Sequence, residues 1–339
     1  MRAIVQSRYG SPQDLEVREV ERPGCGPDEV LVRVHAASLH PDVWHVVTGR
    51  PYVIRLMGNG FSRPRNPIPG TDMAGVVDSV GADVTSFRPG DAVFGETMPS
   101  HQWTNGGSLA ELVTVRPEWI ARKPPNVSFE QAASVPTSGY IALLNLRGGR
   151  VVGPDARVLV NGAGGGVGSL ALQIAKSRGA HVTAVDAAGK LDLLRSLGAD
   201  RVMDYASEDF TLGDARYDLI FDVPGNHPIS ACRRVLKTEG KYVLIGHEAF
   251  GGSGNRLVGL FPRFIGLILR SLFTKQLRLG GGAPTRQECM ATLSDLLEAG
   301  AITPVIDSTF PLAGVHEAFR HLIEDDLRGK VIVRIAEAA

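Results

Sequence analysis

The sequence predicts an α/β protein of two units, a β-rich amino-terminal unit followed by a doubly wound parallel sheet. Three observations predict it. Up to about residue 125, short apolar runs alternate with glycine and proline; from about residue 129 the rhythm becomes strand, glycine turn, helix, strand; and the chain closes on two helical patterns and a last apolar run. With 339 residues, 43% of them hydrophobic and 21% charged, the chain can fill two cores and is too apolar for disorder.

Each element follows from local pattern. Glu29–Val34, Gly75–Gly81, Gly90–Gly95 and Gly107–Val115 read as short strands because apolar side chains recur with period two between turn residues. Arg157–Val160, the turn Gly162–Gly168, a helix over Ser169–Arg178 and His181–Val185 form a βαβ unit, whose strands are parallel because the helix supplies the crossover. Asp200–Tyr205, Tyr217–Asp222 and Gly240–Gly246 continue that sheet. Helices over Gln287–Ala299 and Val315–Ile323 precede a final strand at Lys330–Ile335.

Charge narrows the partners. Lysine plus arginine and aspartate plus glutamate stand at 36 each, which gives no reason to expect nucleic acid or an anionic membrane, and leaves a small molecule as the expected partner. Cys25, Cys232 and Cys289 are too few and too scattered for a disulfide framework or a Cys-x-x-Cys zinc site. No signal-peptide pattern opens the sequence and no run of about 18 apolar residues occurs, so a soluble, cytoplasmic protein is expected.

The strand–helix junction Asn161-Gly162-Ala163-Gly164-Gly165-Gly166-Val167-Gly168 carries the chemistry. A diphosphate needs backbone N–H groups at close range and the positive end of a helix, and residues lacking Cβ permit that approach. Ala163 stands two before Gly165, so the G-x-G-x-x-G register is only approximate, but the flanking strands and helix supply the context the motif needs. Asp186, at the end of the second strand, can accept the adenosine ribose diol and so favours NADH; Lys190 and Tyr205 lie near enough to hold a 2′-phosphate, which leaves NADPH open.

Together with Gly10-Ser11-Pro12, Pro69–Gly75, Gly90–Gly95 and Gly329-Lys330-Val331-Ile332, the glycine turn resembles the medium-chain dehydrogenase/reductase superfamily, in its zinc-free quinone oxidoreductase branch. The resemblance implies a Rossmann domain over 129–283, inserted into a GroES-like catalytic domain made of 1–128 and 284–339. It implies a nicotinamide cleft approached by Thr137 and bordered by Val223, Gly246 and Gly281, and a homodimer. Relatives with zinc hold it through a cysteine and a Gly-His-Glu motif; this sequence has Ser38, His40 and Asp42 in the first place and Gly70-Thr71-Asp72 in the second. A Gly246-His247-Glu248 triplet follows a strand of the parallel sheet and so falls in the wrong domain for that metal. No metal is therefore expected.

Without a Lewis acid, an isolated ketone is a poor hydride acceptor, whereas a quinone or enone spreads the added charge over a conjugated system. His40, where many relatives have asparagine, and Tyr52, matching a tyrosine at the substrate mouth, are the expected groups on the acceptor oxygen. The alternatives are a metal-independent carbonyl or alcohol oxidoreductase and a cofactor-binding relative without activity. Arg256, Arg263 and Arg270 recur every seven residues in an apolar segment that Pro262 is expected to break. It reads as a lid over a bulky hydrophobic substrate or as a subunit contact in preference to a membrane-surface segment.

Overall fold

The computed structural model describes residues 1–56, 60–97, 104–147, 152–246, 256–259, 261–277 and 282–336. Its strands are β1 (Arg2–Val5), β2 (Glu16–Glu19), β3 (Val30–Leu39), β4 (Asp72–Val80), β5 (Ala92–Glu96), β6 (Leu112–Val115), β7 (Ile120–Arg122), β8 (Arg157–Asn161), β9 (His181–Asp186), β10 (Arg201–Asp204), β11 (Tyr217–Asp222), β12 (Leu236–Leu244), β13 (Ile306–Pro311) and β14 (Lys330–Arg334). The helices are α1 (Pro41–Thr48), α2 (Phe129–Ala133), α3 (Pro136–Asn145), α4 (Gly166–Ser177), α5 (Leu191–Ser196), α6 (Ile229–Arg234), α7 (Phe261–Ser271), α8 (Arg286–Glu298) and α9 (Val315–Glu324).

A seven-stranded sheet runs β13-β14-β3-β4-β5-β7, with β6 also pairing β3. Strand β3 is buried along most of its length, Arg33 and His35 excepted, because β4, β6 and β14 all pair with it. The carboxy-terminal strand β14 lies antiparallel to β3, so both ends of the chain build this sheet.

The second sheet has the order β10-β9-β8-β11-β12 and every pairing in it is parallel. Period two sorts its side chains onto two cores: Val158, Val160, Leu219 and Phe221 face one, Leu159, Ile220 and Val185 the other. Helices cover both faces, as a parallel sheet requires. This is the α/β architecture read from the sequence.

One local expectation is corrected. Pro262 does not break the arginine-bearing segment, because it falls in the first turn of α7, where an amide hydrogen has no intrahelical acceptor in any case. Arg263 and Arg270 therefore share one helix, and Arg256 precedes it.

Candidate active site

The glycine turn leaves β8 at Asn161 and enters α4 at Gly166. Gly162 takes a φ of +79°, which a side chain would disfavour, and the Gly162 and Ala163 amides donate to the Val185 carbonyl, fastening the turn to β9. A Cβ on Gly168 would stand 2.0 Å from the Gly162 carbonyl oxygen, so only glycine lets the first turn of α4 pack there. A Cβ on Gly165 would meet nothing nearer than 3.7 Å, and this residue lines an open cavity. Exposed backbone at the positive end of a twelve-residue helix fits the diphosphate of a dinucleotide.

Gly162, Gly165, Asp186, Lys190, Tyr205, Val223 and Gly246 line that one cavity, of about 600 Å³. The other predicted residues of the turn act from behind it. Ala163 is buried, the Gly164 amide donates to Asp186 Oδ2 at 2.7 Å, Gly166 lies against Lys330, and Val167 packs on the core. Gly281, His247 and Glu248 lie outside the described residues.

At the adenosine end, Asp186 is tied to the chain itself. Oδ2 accepts from Gly164, Oδ1 accepts from the Ala187 amide at 2.9 Å, and Lys190 Nζ stands 3.3 Å away. A carboxylate has about four acceptor positions, so capacity for a ribose hydroxyl remains. Lys190 is also 2.5 Å from Asp326 Oδ1. Burial works to lower the Lys190 pKa, but the bond to Asp326 and the charges of both aspartates outweigh it and hold the ammonium above its ordinary range. Lys190 is thus already neutralised by two carboxylates instead of waiting free for a phosphate, and Asp326, 136 residues away, was not foreseen. Tyr205 is exposed beside it.

Three predicted residues beyond the glycine turn also fall outside the cavity. Thr137 is buried and serves two carboxylates: its amide donates to Asp72 Oδ1 at 3.2 Å, and its hydroxyl lies 2.5 Å from that oxygen and 2.9 Å from Glu96 Oε1. His40 is buried with Nε2 2.7 Å from the Thr71 hydroxyl and Nδ1 3.7 Å from Asp42. Burial above all, then the charges of Lys330 and His45, holds its pKa well below the usual imidazole range, so at neutral pH it is a neutral ring and no cationic acid. Tyr52 is exposed, its amide donates to the Arg256 carbonyl, and the Arg55 guanidinium lies 4.6 Å from its ring centre. The polar side chains that α1 does present to the cavity are Asp42 and His45. Their i, i+3 spacing after a Pro at the helix start is the signal that could have found them.

Behind this wall Ser38 donates to Asp72 Oδ2 at 3.1 Å, and Lys330 Nζ stands 3.6 Å from the same oxygen. A hydroxyl, a carboxylate and an ammonium do not fit zinc, which takes thiolate, imidazole and carboxylate ligands. Among the described residues no group of three or more His, Cys, Asp or Glu is arranged to hold a metal ion.

Glu96 also faces this cluster. Burial, countered by Arg286 and reinforced by Asp72, pushes its pKa up to about 7. A hydroxyl has one hydrogen, so Thr137 donates to Asp72 and accepts from Glu96 when Glu96 is protonated. The folded state therefore holds this proton more tightly than the unfolded chain, and the resulting stabilisation is present at low pH and lost as pH rises from 4.5 to about 7. In Glu96→Gln that loss should disappear, giving a shallower fall of melting temperature across the window; an unchanged slope would show that Glu96 is ionised throughout.

Residues 26–125 match the model of the alcohol dehydrogenase GroES-like domain, and residues 197–333 that of zinc-binding dehydrogenases. The chain is 32% identical to the NAD(P)H oxidoreductase RTN4IP1, mitochondrial, of Bos taurus, over 99% of this chain and 89% of that protein. It is 30% identical to the quinone-oxidoreductase QR1, chloroplastic, of Triphysaria versicolor, over 98% of both. The structure of the quinone oxidoreductase from Coxiella burnetii superposes with a TM-score of 0.81 at 27% identity over 99% of both chains. The mitochondrial and chloroplastic names overturn the cytoplasmic expectation: free cysteines report redox conditions, which do not single out that compartment. By these likenesses the chain belongs to the medium-chain dehydrogenase/reductase superfamily, in its quinone oxidoreductase-like branch.

Proposed function

We propose that the chain is a metal-independent oxidoreductase that passes hydride from NADH to a quinone or to the β-carbon of an α,β-unsaturated carbonyl. The observation that carries this reading is the single cavity shared by the glycine turn, Asp186 and the polar face of α1. When bound, the cofactor supplies hydride from C4 of its nicotinamide. The chain's own part is to hold, orient and protonate. The start of α4 holds the diphosphate, Asp186 accepts from the ribose, and Val223 and Gly246 border the nicotinamide. Asp42 and His45 orient the acceptor oxygen and handle the proton that must follow the hydride, with His40 positioning Asp42 from behind. Phe264 and Ile141 supply apolar wall, which suits a bulky acceptor and excludes water. A quinone or enone suits a site whose donor set rejects zinc, because conjugation does the work of the Lewis acid. The pairing of β14 with β3 supports grouping 284–339 with 1–128 around the domain 129–283.

The preference for NADH rests on Asp186 and on Asp326, which keeps Lys190 neutralised. Asp186→Ser should shift the ratio of catalytic efficiencies toward NADPH by about tenfold or more, and adding Asp326→Ala should extend the shift by freeing Lys190 for a 2′-phosphate. An unchanged ratio in both variants would remove Asp186 from the ribose.

Oxidation of NADH measured over a panel of quinones and enones tests the chemistry. Asp42→Asn and His45→Ala should each lower turnover by about tenfold or more with little change in cofactor affinity, since positioning and proton transfer act in the transition state. Tyr52→Phe should leave kinetics unchanged. Tight NADH binding without turnover of any acceptor would favour a binding protein instead.

A further inference from the structure

Outside the cavity, one imidazole carries two carboxylates. His321, in the last turn of α9, has Nδ1 2.5 Å from Asp325 Oδ2 and Nε2 2.5 Å from Asp307 Oδ2. An ionised carboxylate only accepts, so both ring nitrogens must donate, and only the imidazolium has a hydrogen on each. The arrangement is complete for the charged ring alone. Burial works to lower the His321 pKa, but the bonds to Asp307 and Asp325 and their charges outweigh it and hold the ring above its ordinary range. Asp307 faces the ring from β13 and Asp325 from the chain beyond the helix, and the Phe310 ring lies 5.7 Å away. On α9 itself, Glu317 and Glu324 flank Arg320 at 3.6 and 3.8 Å.

What this imidazole holds is the approach to the cofactor cavity. Asp325 is the cap residue of α9, and the residue after it, Asp326, is the one that reaches Lys190 at the adenosine end. The two carboxylates on the ring are not equally secured. Asp307 Oδ1 also accepts from the Arg328 amide at 2.8 Å and its side chain is only 15% exposed, whereas that of Asp325 is 48% exposed. A neutral ring keeps one hydrogen and turns a lone pair toward the other carboxylate. Asp325, half in water and without the Arg328 tie, is the one released, and the neighbouring Asp326 loses its support. Because the ring's pKa is raised in the fold, the hold is present at neutral pH and is lost as pH rises through that value.

We infer that His321 is a specificity-determining positioning residue: by holding Asp325 it keeps Asp326 on Lys190, and it gives up that hold at alkaline pH, so that affinity for NADPH rises relative to NADH. The inference rests on the reading of Lys190 and Asp326 given under the proposed function. A released Lys190 offers its ammonium to a 2′-phosphate, which NADH lacks.

The test is the ratio of the dissociation constants of NADH and NADPH for the full chain, read from nicotinamide fluorescence without any acceptor. Over about pH 7 to about pH 9 the 2′-phosphate is already almost fully ionised, its second pKa being about 6, and Lys190 stays an ammonium. Groups that act on both cofactors alike, Glu96 and His45 among them, cancel in the ratio. Across this window relative affinity for NADPH should rise about fivefold or more in the wild type. Asp325→Asn should hold it at the neutral-pH value throughout, because an amide can donate to a neutral Nδ1. His321→Ala should give the alkaline value already at neutral pH. A wild-type ratio that does not move with pH overturns the inference, and so does an Asp325→Asn profile that follows the wild type, which keeps the test decisive if His321→Ala does not fold. Asp326→Ala separates the inference from the reading beneath it. If that variant favours NADPH while His321→Ala does not, the inference falls and the reading of Lys190 stands; if it changes nothing, both fall.

Discussion

Asp72 is a carboxylate with no exposed surface, and its partners tie neighbouring strands of the seven-stranded sheet to one another and to α3. An unpaired buried charge costs several kcal/mol, so the fold must bring donors to it. They come from positions 38, 137 and 330: the Ser38 hydroxyl on β3, the Thr137 amide and hydroxyl at the start of α3, and the Lys330 ammonium at the start of β14. The last of these reaches further. The Lys330 stem packs where a Gly166 side chain would stand, and the Gly329 amide donates to the Gly164 carbonyl at 2.8 Å. Satisfying one carboxylate thus fixes the carboxy-terminal segment against the glycine turn.

That constraint places α1, which follows β3, across from α4, which follows β8, and the cavity is the space between them. Burial also sets protonation: it works to raise Asp72 and Glu96 and to lower Lys330 and His40, so the cluster favours neutral forms wherever a partner is missing. Ionisable groups that face the cavity, Asp42 and His45 at one end and Asp186 with Lys190 at the other, are left to act on what binds there.

The glycine turn was legible because its chemistry is local: Gly162 turns the chain, Gly168 permits close packing, and both lie within eight residues of a strand end. Asp186 was legible for the same reason. Asp326 was not, because it joins Lys190 only once α9 has packed on the seven-stranded sheet and the chain after it has come back to the end of β9. His40 stood out as a polar residue in an apolar stretch, but it precedes Pro41 as the cap residue of α1, so its ring turns inward to Thr71 and the face one turn into the helix carries the cavity groups. Thr137 was placed by family likeness at the nicotinamide, whereas Asp72 takes both its amide and its hydroxyl hydrogen and Glu96 lies against the hydroxyl oxygen. Pro262 looked like a break until its position in the first turn of α7 was seen.

The fate of a deuterium carried at C4 of the reduced nicotinamide, followed into an enone in the presence of a strong metal chelator, bears most directly on the central claim. Metal-independent transfer into the conjugated system predicts deuterium at the β-carbon of the saturated ketone, at a rate the chelator leaves unchanged. Deuterium at the carbonyl carbon of an allylic alcohol, or transfer abolished by the chelator and restored by zinc, would contradict it.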